Sequence, residues 1–417
     1  VMVEETGEKI PLKIYAILFV SFLSVLALVG QITILGKQVY DITGRELDLG
    51  LLGLAEFAPT FLLAPFTGSL ADRMDRRILF LWALLGEGAV SVILFWYATT
   101  NPTSILPIFW LVIFLGVCRA FAAPSGRALA VDMSPVSTVP RVVAFGSIAM
   151  QSGLIIGPVL FGFLFVAYEP LPYLVSAICL GGGALILGFV PSSKIQLLKT
   201  TGTKNALSDA LEGFKFIRHT PMLFGAISLD LAAVLFGGAV ALLPAIAEDR
   251  LGVGAVGLGW LRAAVGIGAG VVAVAMAIRP LNRHIGKTLL SVVAVFGLGT
   301  IVLGLSRNYV LAFVAVLILS AADAVSMFIR ATLVPLATPG HMRGRVLALE
   351  NVFIGASNEL GAFESGVTAA LMGLTGAIIF GGVGTLAVVV IWWFCFPVLR
   401  KVNQFDEVQT FNEESSS

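Results

Sequence analysis

Gly68-Ser-Leu-Ala-Asp72-Arg73-Met-Asp75-Arg76-Arg77 is a short knot of charge set between two apolar runs, 49–70 and 78–98. A bilayer's hydrocarbon core takes about 20 helical residues to cross, so each run is long enough to span. Charges packed into so tight a hairpin must sit at a membrane surface, and the three arginines mark that surface as the cytoplasmic one. The stretch therefore predicts a helical chain that crosses a membrane repeatedly.

Composition agrees. Of 417 residues, 58% are hydrophobic and 12% charged, with a mean hydropathy of +0.98; soluble domains carry about 25% charged residues. A net charge of +1, with no basic patch outside the short connections, excludes an electrostatic nucleic-acid binder. Cys118, Cys179 and Cys395 all lie in apolar runs, so neither a disulfide framework nor a metal motif is expected, and no cofactor. An integral membrane enzyme would need nucleophile, base or metal ligands clustered at one depth, and no such cluster can be read. No Walker-type loop is present to bind a nucleotide. The first apolar run is too long for a cleaved signal peptide and reads as a retained span.

Twelve spans can be drawn, at about 14–36, 49–70, 78–98, 104–125, 142–167, 171–190, 221–246, 253–279, 287–305, 309–329, 346–372 and 375–398. Of the 26 lysines and arginines, only Lys37, Arg45, Arg250 and Arg307 fall in the odd-numbered connections, and Arg119 and Arg262 inside spans. The rest, Arg330 among them, mark the other face, so both termini are expected in the cytoplasm. The expected organisation is a six-helix half over 1–190, a linker over 191–220, a second six-helix half over 221–400 and a disordered acidic tail over 401–417. Within the linker, 206–218 reads as an amphipathic helix lying on the membrane face.

The opening stretch resembles the signature of the major facilitator superfamily, Gly-x-x-x-Asp-Arg-x-Gly-Arg-Arg/Lys. It matches at Gly68, Asp72, Arg73, Arg76 and Arg77 and departs at Asp75, where the family usually has glycine. The resemblance implies an all-α integral membrane fold of twelve helices in two halves, moving small molecules by alternating access. It further implies that Asp72 latches the cytoplasmic side by meeting the start of the eleventh span. A degenerate second copy, Asn282-Arg283-His-Ile-Gly286-Lys287, occupies the matching loop of the second half. On the fifth span Gly153, Gly157, Pro158 and Gly162 resemble the family's antiporter motif, with Phe161 where a glycine is usual. There the glycines would groove one helix for another, and Pro158 would bend it.

Charges inside spans are functional candidates by default. Arg119 resembles the family's fourth-helix arginine, which is associated with proton transfer. Proton-coupling candidates are Asp230, Asp323, Arg119, Arg262, Glu56 and Glu87. Asp230 and Arg262 reach similar depths and could neutralise one another. The family's cavity-lining spans would group Gln31, Arg119, Asp230 and Asp323. On the eleventh span Glu350 and Glu364 share a face that Glu359 does not. The residues 38–44, 221, 243–248 and 342–346 resemble the branch that includes the enterobactin exporter and multidrug efflux proteins. That resemblance implies a monomeric exporter in the inner membrane, driven by proton entry and carrying siderophore-like, drug-like or other amphipathic small molecules. The alternative is a lipid or lysolipid flippase, or a facilitator, on the same fold.

Overall fold

The computed structural model describes residues 10–71, 74–191, 206–340, 342–405 and 407, and their regular structure is helical. In chain order the helices are α1 (Leu12–Thr43), α2 (Glu46–Ala71), α3 (Arg76–Thr99), α4 (Leu106–Asp132), α5 (Val139–Ala167) and α6 (Leu171–Phe189). They continue with α7 (Ala206–His219), α8 (Pro221–Phe236), the one-turn α9 (Leu243–Ala245), α10 (Gly254–Ile278), α11 (Ile285–Leu305), α12 (Tyr309–Leu336), α13 (Arg343–Cys395) and α14 (Pro397–Lys401).

Among the described residues, ten helical segments are long and apolar enough to cross a bilayer. The number differs from twelve at two places. The 26-residue α2 is not among the ten, and α13 runs for 53 residues. Within α13, Gly373 leaves the helix at φ 78°, ψ 162°, between the spans read as 346–372 and 375–398. Val346 and Val388, far from Gly373 on either side, share one apolar cluster, while Ala369 and Ala377 share another. The chain therefore doubles back at this residue, in a conformation that glycine alone adopts without steric cost.

The chain groups into two compact units, Val1–Gln38 with Ala55–Lys199, and Val39–Leu54 with Thr200–Ser417. The second unit thus takes in residues 39–54, which lie in the 1–190 half read from the sequence. Small residues explain this. A Cβ on Gly50 of α2 would stand 2.9 Å from the Ala362 carbonyl and 3.3 Å from Gly366 Cα of α13, so the two backbones touch. The end of α1 is tied in by Tyr40, whose hydroxyl donates to Asp249.

In the first unit α3 packs between α4 and α6, with Phe80, Leu84, Leu129, Leu180 and Leu187 in its core. Asp75, which replaces the family's glycine, is the N-cap of α3 and accepts from the Arg77 backbone N–H at 2.9 Å. Arg76 pairs with Asp132 at the end of α4 at 2.5 Å. The Arg77 guanidinium donates to the Leu187 and Gly188 carbonyls at 2.8 and 2.7 Å. Both carbonyls lie at the C-terminal end of α6, where a cation is favourable. Asp72 and Arg73 lie outside the described residues, as does the latch read from them; Gly68 is helical, near the end of α2.

In the second unit the corresponding join, between the start of α11 and the segment after α14, is made by backbone. Gly286 N–H donates to the Val402 carbonyl at 3.0 Å, and His284 N–H to Asn403 Oδ1 at 3.1 Å. A Cβ on Gly286 would collide with the Leu399 carbonyl. The tail read as disordered from 401 is therefore held down through Asn403, because it satisfies the free donors at the N-terminus of α11. The linker helix α7 packs on α13. Glu212 pairs with Arg345 at 2.8 Å, and Phe214 meets Phe353 edge-on, with ring centroids 6.5 Å apart.

Candidate functional site

Three helices of the second unit bring ionisable side chains to one buried point. Pro221 opens α8 at its first turn, and Asp230 follows about 14 Å along that helix. Asn308 caps α12 by accepting from the Val310 and Leu311 N–H groups, and Arg330 comes near the far end of the helix. Glu350 stands two turns into α13. Asp230, Arg330 and Glu350 are 5%, 3% and 6% exposed. Arg330 Nη2 lies 2.7 Å from Asp230 Oδ1, and its Nη1 lies 3.9 Å from Glu350 Oε1.

Asp323 adds a third acid. It lies two turns before Arg330 on α12 and, with Asp230, Ser326, Phe296 and Val293, lines a cavity of about 10 Å³. That is room for one water, and two carboxyl groups and a hydroxyl are enough partners to hold it. The cluster has three acids for one guanidinium. Buried charge is tolerated only when compensated, and here one cation is shared among three carboxyl groups.

The partner of Asp230 is not the one expected. Arg262 on α10 forms no pair with it; the charge acting on Arg262 is Glu359. Arg330, counted from the sequence as a surface residue of a connection, sits instead within α12. The expected span ended at 329, one residue short of it, while the helix runs on to Leu336. Glu364 hydrogen-bonds to Thr368 and Ser365 on its own helix.

The first unit holds two further sites. Glu56 of α2 forms an ion pair with Arg119 of α4. Gly116 makes that possible, because any side chain there would strike the Glu56 carbonyl. Thr60 Oγ1 donates to the Gly116 carbonyl at 3.0 Å across the same crossing. Separately, Ser91 Oγ of α3 donates to Gln31 Oε1 of α1 at 2.7 Å and lies 3.3 Å from Ser176 Oγ of α6. One turn from Ser91, Glu87 is 1% exposed, with Oε2 lacking a hydrogen-bond partner. Within each unit the four residues expected to line the cavity, Gln31, Arg119, Asp230 and Asp323, have their own neighbours. In the first unit Gln31 belongs to the serine network and Arg119 pairs with Glu56; in the second, Asp230 and Asp323 line one cavity.

The glycine series on α5 forms a close crossing with α1. A Cβ on Gly153 would lie 2.8 Å from Val25 Cγ1, and one on Gly157 2.7 Å from the Leu26 carbonyl. Phe161, the departure from the family motif, is fully buried, and its ring fills the space where Gly30 lacks a side chain. The helix continues through the buried Pro158, and Gly162 is buried beside Phe161. Gly157→Leu is expected to force α1 and α5 apart and abolish the monodisperse folded protein. Size-exclusion of the detergent-solubilised variant checks this, with Gly181→Leu, which faces open space, as control.

Apolar helices of span length with ionisable side chains buried between them define a multi-pass α-helical membrane protein. The Major Facilitator Superfamily profile matches residues 17–349, and the chain belongs to that family of transporters. It is 27% identical over 211 residues to the uncharacterised MFS-type transporter YfiS of Bacillus subtilis, covering 49% of this chain and 48% of that one. Over 181 residues it is 27% identical to the quinolone resistance protein NorA of Staphylococcus aureus, covering 43% and 44%. The chain thus spans about half the length of the curated relatives it matches. Among solved structures, the nucleoside transporter NupG superposes with a TM-score of 0.72 at 11% identity, covering 92% of this chain and 100% of that one. A POT peptide transporter gives 0.73 at 14%, covering 94% and 96%. At such identities the likeness is one of fold.

Proposed function

We propose that the protein is a proton-coupled exporter of amphipathic, drug-like or siderophore-like small molecules in the cytoplasmic membrane, with both termini inside. The observation that carries this reading is the Asp230–Arg330–Glu350 centre with Asp323 beside it. Arg330 stands between acids on two different helices, so proton binding at Asp230 removes one of its partners and leaves Glu350 as the other. The guanidinium then shifts its weight from α8 to α13. A side chain with two alternative partners is a two-state element that protonation can bias. Substrate and proton favouring opposite states gives exchange. The likeness to a quinolone resistance protein supports drug-like cargo and outward direction. The resemblance at residues 38–44 and 243–248 is what brings siderophores into consideration.

The test is efflux of a cationic dye from proteoliposomes under an imposed pH gradient. Wild type is expected to respond to the gradient, and Asp230→Asn to lose about tenfold or more of the gradient-driven rate while still binding the dye. Wild-type transport indifferent to the gradient would sink the antiport reading. The lipid flippase or facilitator reading would then take its place.

A further inference from the structure

Among the arginines whose side chains are described, four lie within the span-length helical segments away from the helix starts, and three have partners that explain them. Arg119 pairs with Glu56, and Arg330 with Asp230 and Glu350. Arg250 donates to the Leu303 and Gly304 carbonyls and to Thr375 Oγ1. Arg262 differs. Its Nε is buried without a hydrogen-bond partner, and among the described residues no carboxylate closes on it as an ion pair. It stands about 12 Å into α10, deep in the apolar slab, where an uncompensated cation costs several kcal/mol.

The negative charge that acts on Arg262 comes from Glu359 of α13. Glu359 Oε2 lies 2.8 Å from where a Cβ of Gly53 on α2 would stand, so its carboxylate rests against that glycine. A guanidinium balanced at a distance, with its fork left open, has the geometry of a receptor for an oxyanion. Arginine presents parallel N–H donors that match a carboxylate two-to-two, and the pairing is strong where water is excluded.

We propose that Arg262 is an anion-recognition point of the second unit, taking the carboxylate of an amphipathic substrate. The substrate class this adds is one with an acid group beside its apolar body, including zwitterions. The inference rests on the exporter reading for its cargo, but it is read out as binding at equilibrium, with no gradient. Failure of proton coupling and failure of this assignment are therefore separable.

The experiment measures binding of rhodamine B, which carries a free carboxylate, and of its ethyl ester, by fluorescence anisotropy. The full chain is placed in nanodiscs of zwitterionic lipid. Wild type is expected to bind the acid about tenfold or more tightly than the ester. Arg262→Gln is expected to lose that preference while keeping its affinity for the ester. Arg262→Lys, which retains the charge without the fork, is expected to keep an intermediate preference, and it secures the reading if the glutamine variant fails to fold. Equal wild-type affinity for acid and ester overturns the proposal, as does a preference that survives in Arg262→Gln. Repeating the series with phosphatidylglycerol in the nanodisc separates the other source of an oxyanion. Anionic lipid retained by wild type and lost in Arg262→Gln, with no acid preference in either, would assign the site to a headgroup and overturn substrate recognition.

Discussion

Arg330→Ala is expected to destabilise the protein by about 3–5 kcal/mol, the range for removing one partner from a buried ion pair. The substitution leaves Asp230 and Glu350, both under a tenth exposed, facing each other with no cation between them. Thermal unfolding in detergent, followed by tryptophan fluorescence, reads the effect as a large downward shift in Tm. Neutralising the acids at the same time, in Asp230→Asn/Arg330→Ala/Glu350→Gln, is expected to restore most of the loss, because the cost lies in the uncompensated charge. An Arg330→Ala protein that melts with wild type would mean that the centre contributes nothing to the fold. A triple variant as unstable as the single one would place the cost in lost packing instead.

Gly286→Val is expected to be of similar size, about 3 kcal/mol, at the upper end for forcing bulk into a packed contact. The new Cβ would collide with the Leu399 carbonyl, and backbone cannot turn aside as a side chain can. Relief requires the segment after α14 to lift away, which also breaks the bonds from Gly286 N–H to Val402 and from His284 N–H to Asn403. Limited proteolysis checks the mechanism: the C-terminal segment of the variant should be cut readily under conditions where wild type resists. Gly181→Val, which faces open space, should leave both readouts unchanged. A protected tail in the Gly286→Val protein would refute the account.

Sequence reading was strongest where periodicity and composition carry the information. The charged hairpin at 68–77, the apolar runs and the linker helix needed only local patterns. The acids at 230, 323 and 350 stood out because charge in an apolar run is conspicuous in any register. Partner choice was not legible. Asp230 and Arg330 are a hundred residues apart, and only the packing of α8 against α12 decides that they meet. Arg330 was hidden by the drawn end of its span, since an arginine near a helix end usually reaches for the headgroups. Its burial was foreshadowed only by apolar residues continuing to Leu336. The second copy of the signature reads as degenerate, because a backbone join leaves no letter in the sequence beyond Gly286 itself. Phe161 likewise reads as a departure until Gly30 is placed beneath it.

The reversal at Gly373 bears on how the protein is made and labelled. A turn of a single left-handed residue leaves no loop between the two arms of α13, so neither arm can be threaded into lipid and anchored while the other waits on a tether. The pair has to enter the bilayer together, as a closed hairpin. The tip is exposed at Leu371 and Met372, yet as helix rather than loop it gives a protease or an inserted tag little extended chain to use. Reporters of topology are better placed at the Asn101 or Arg307 connections, which present exposed chain.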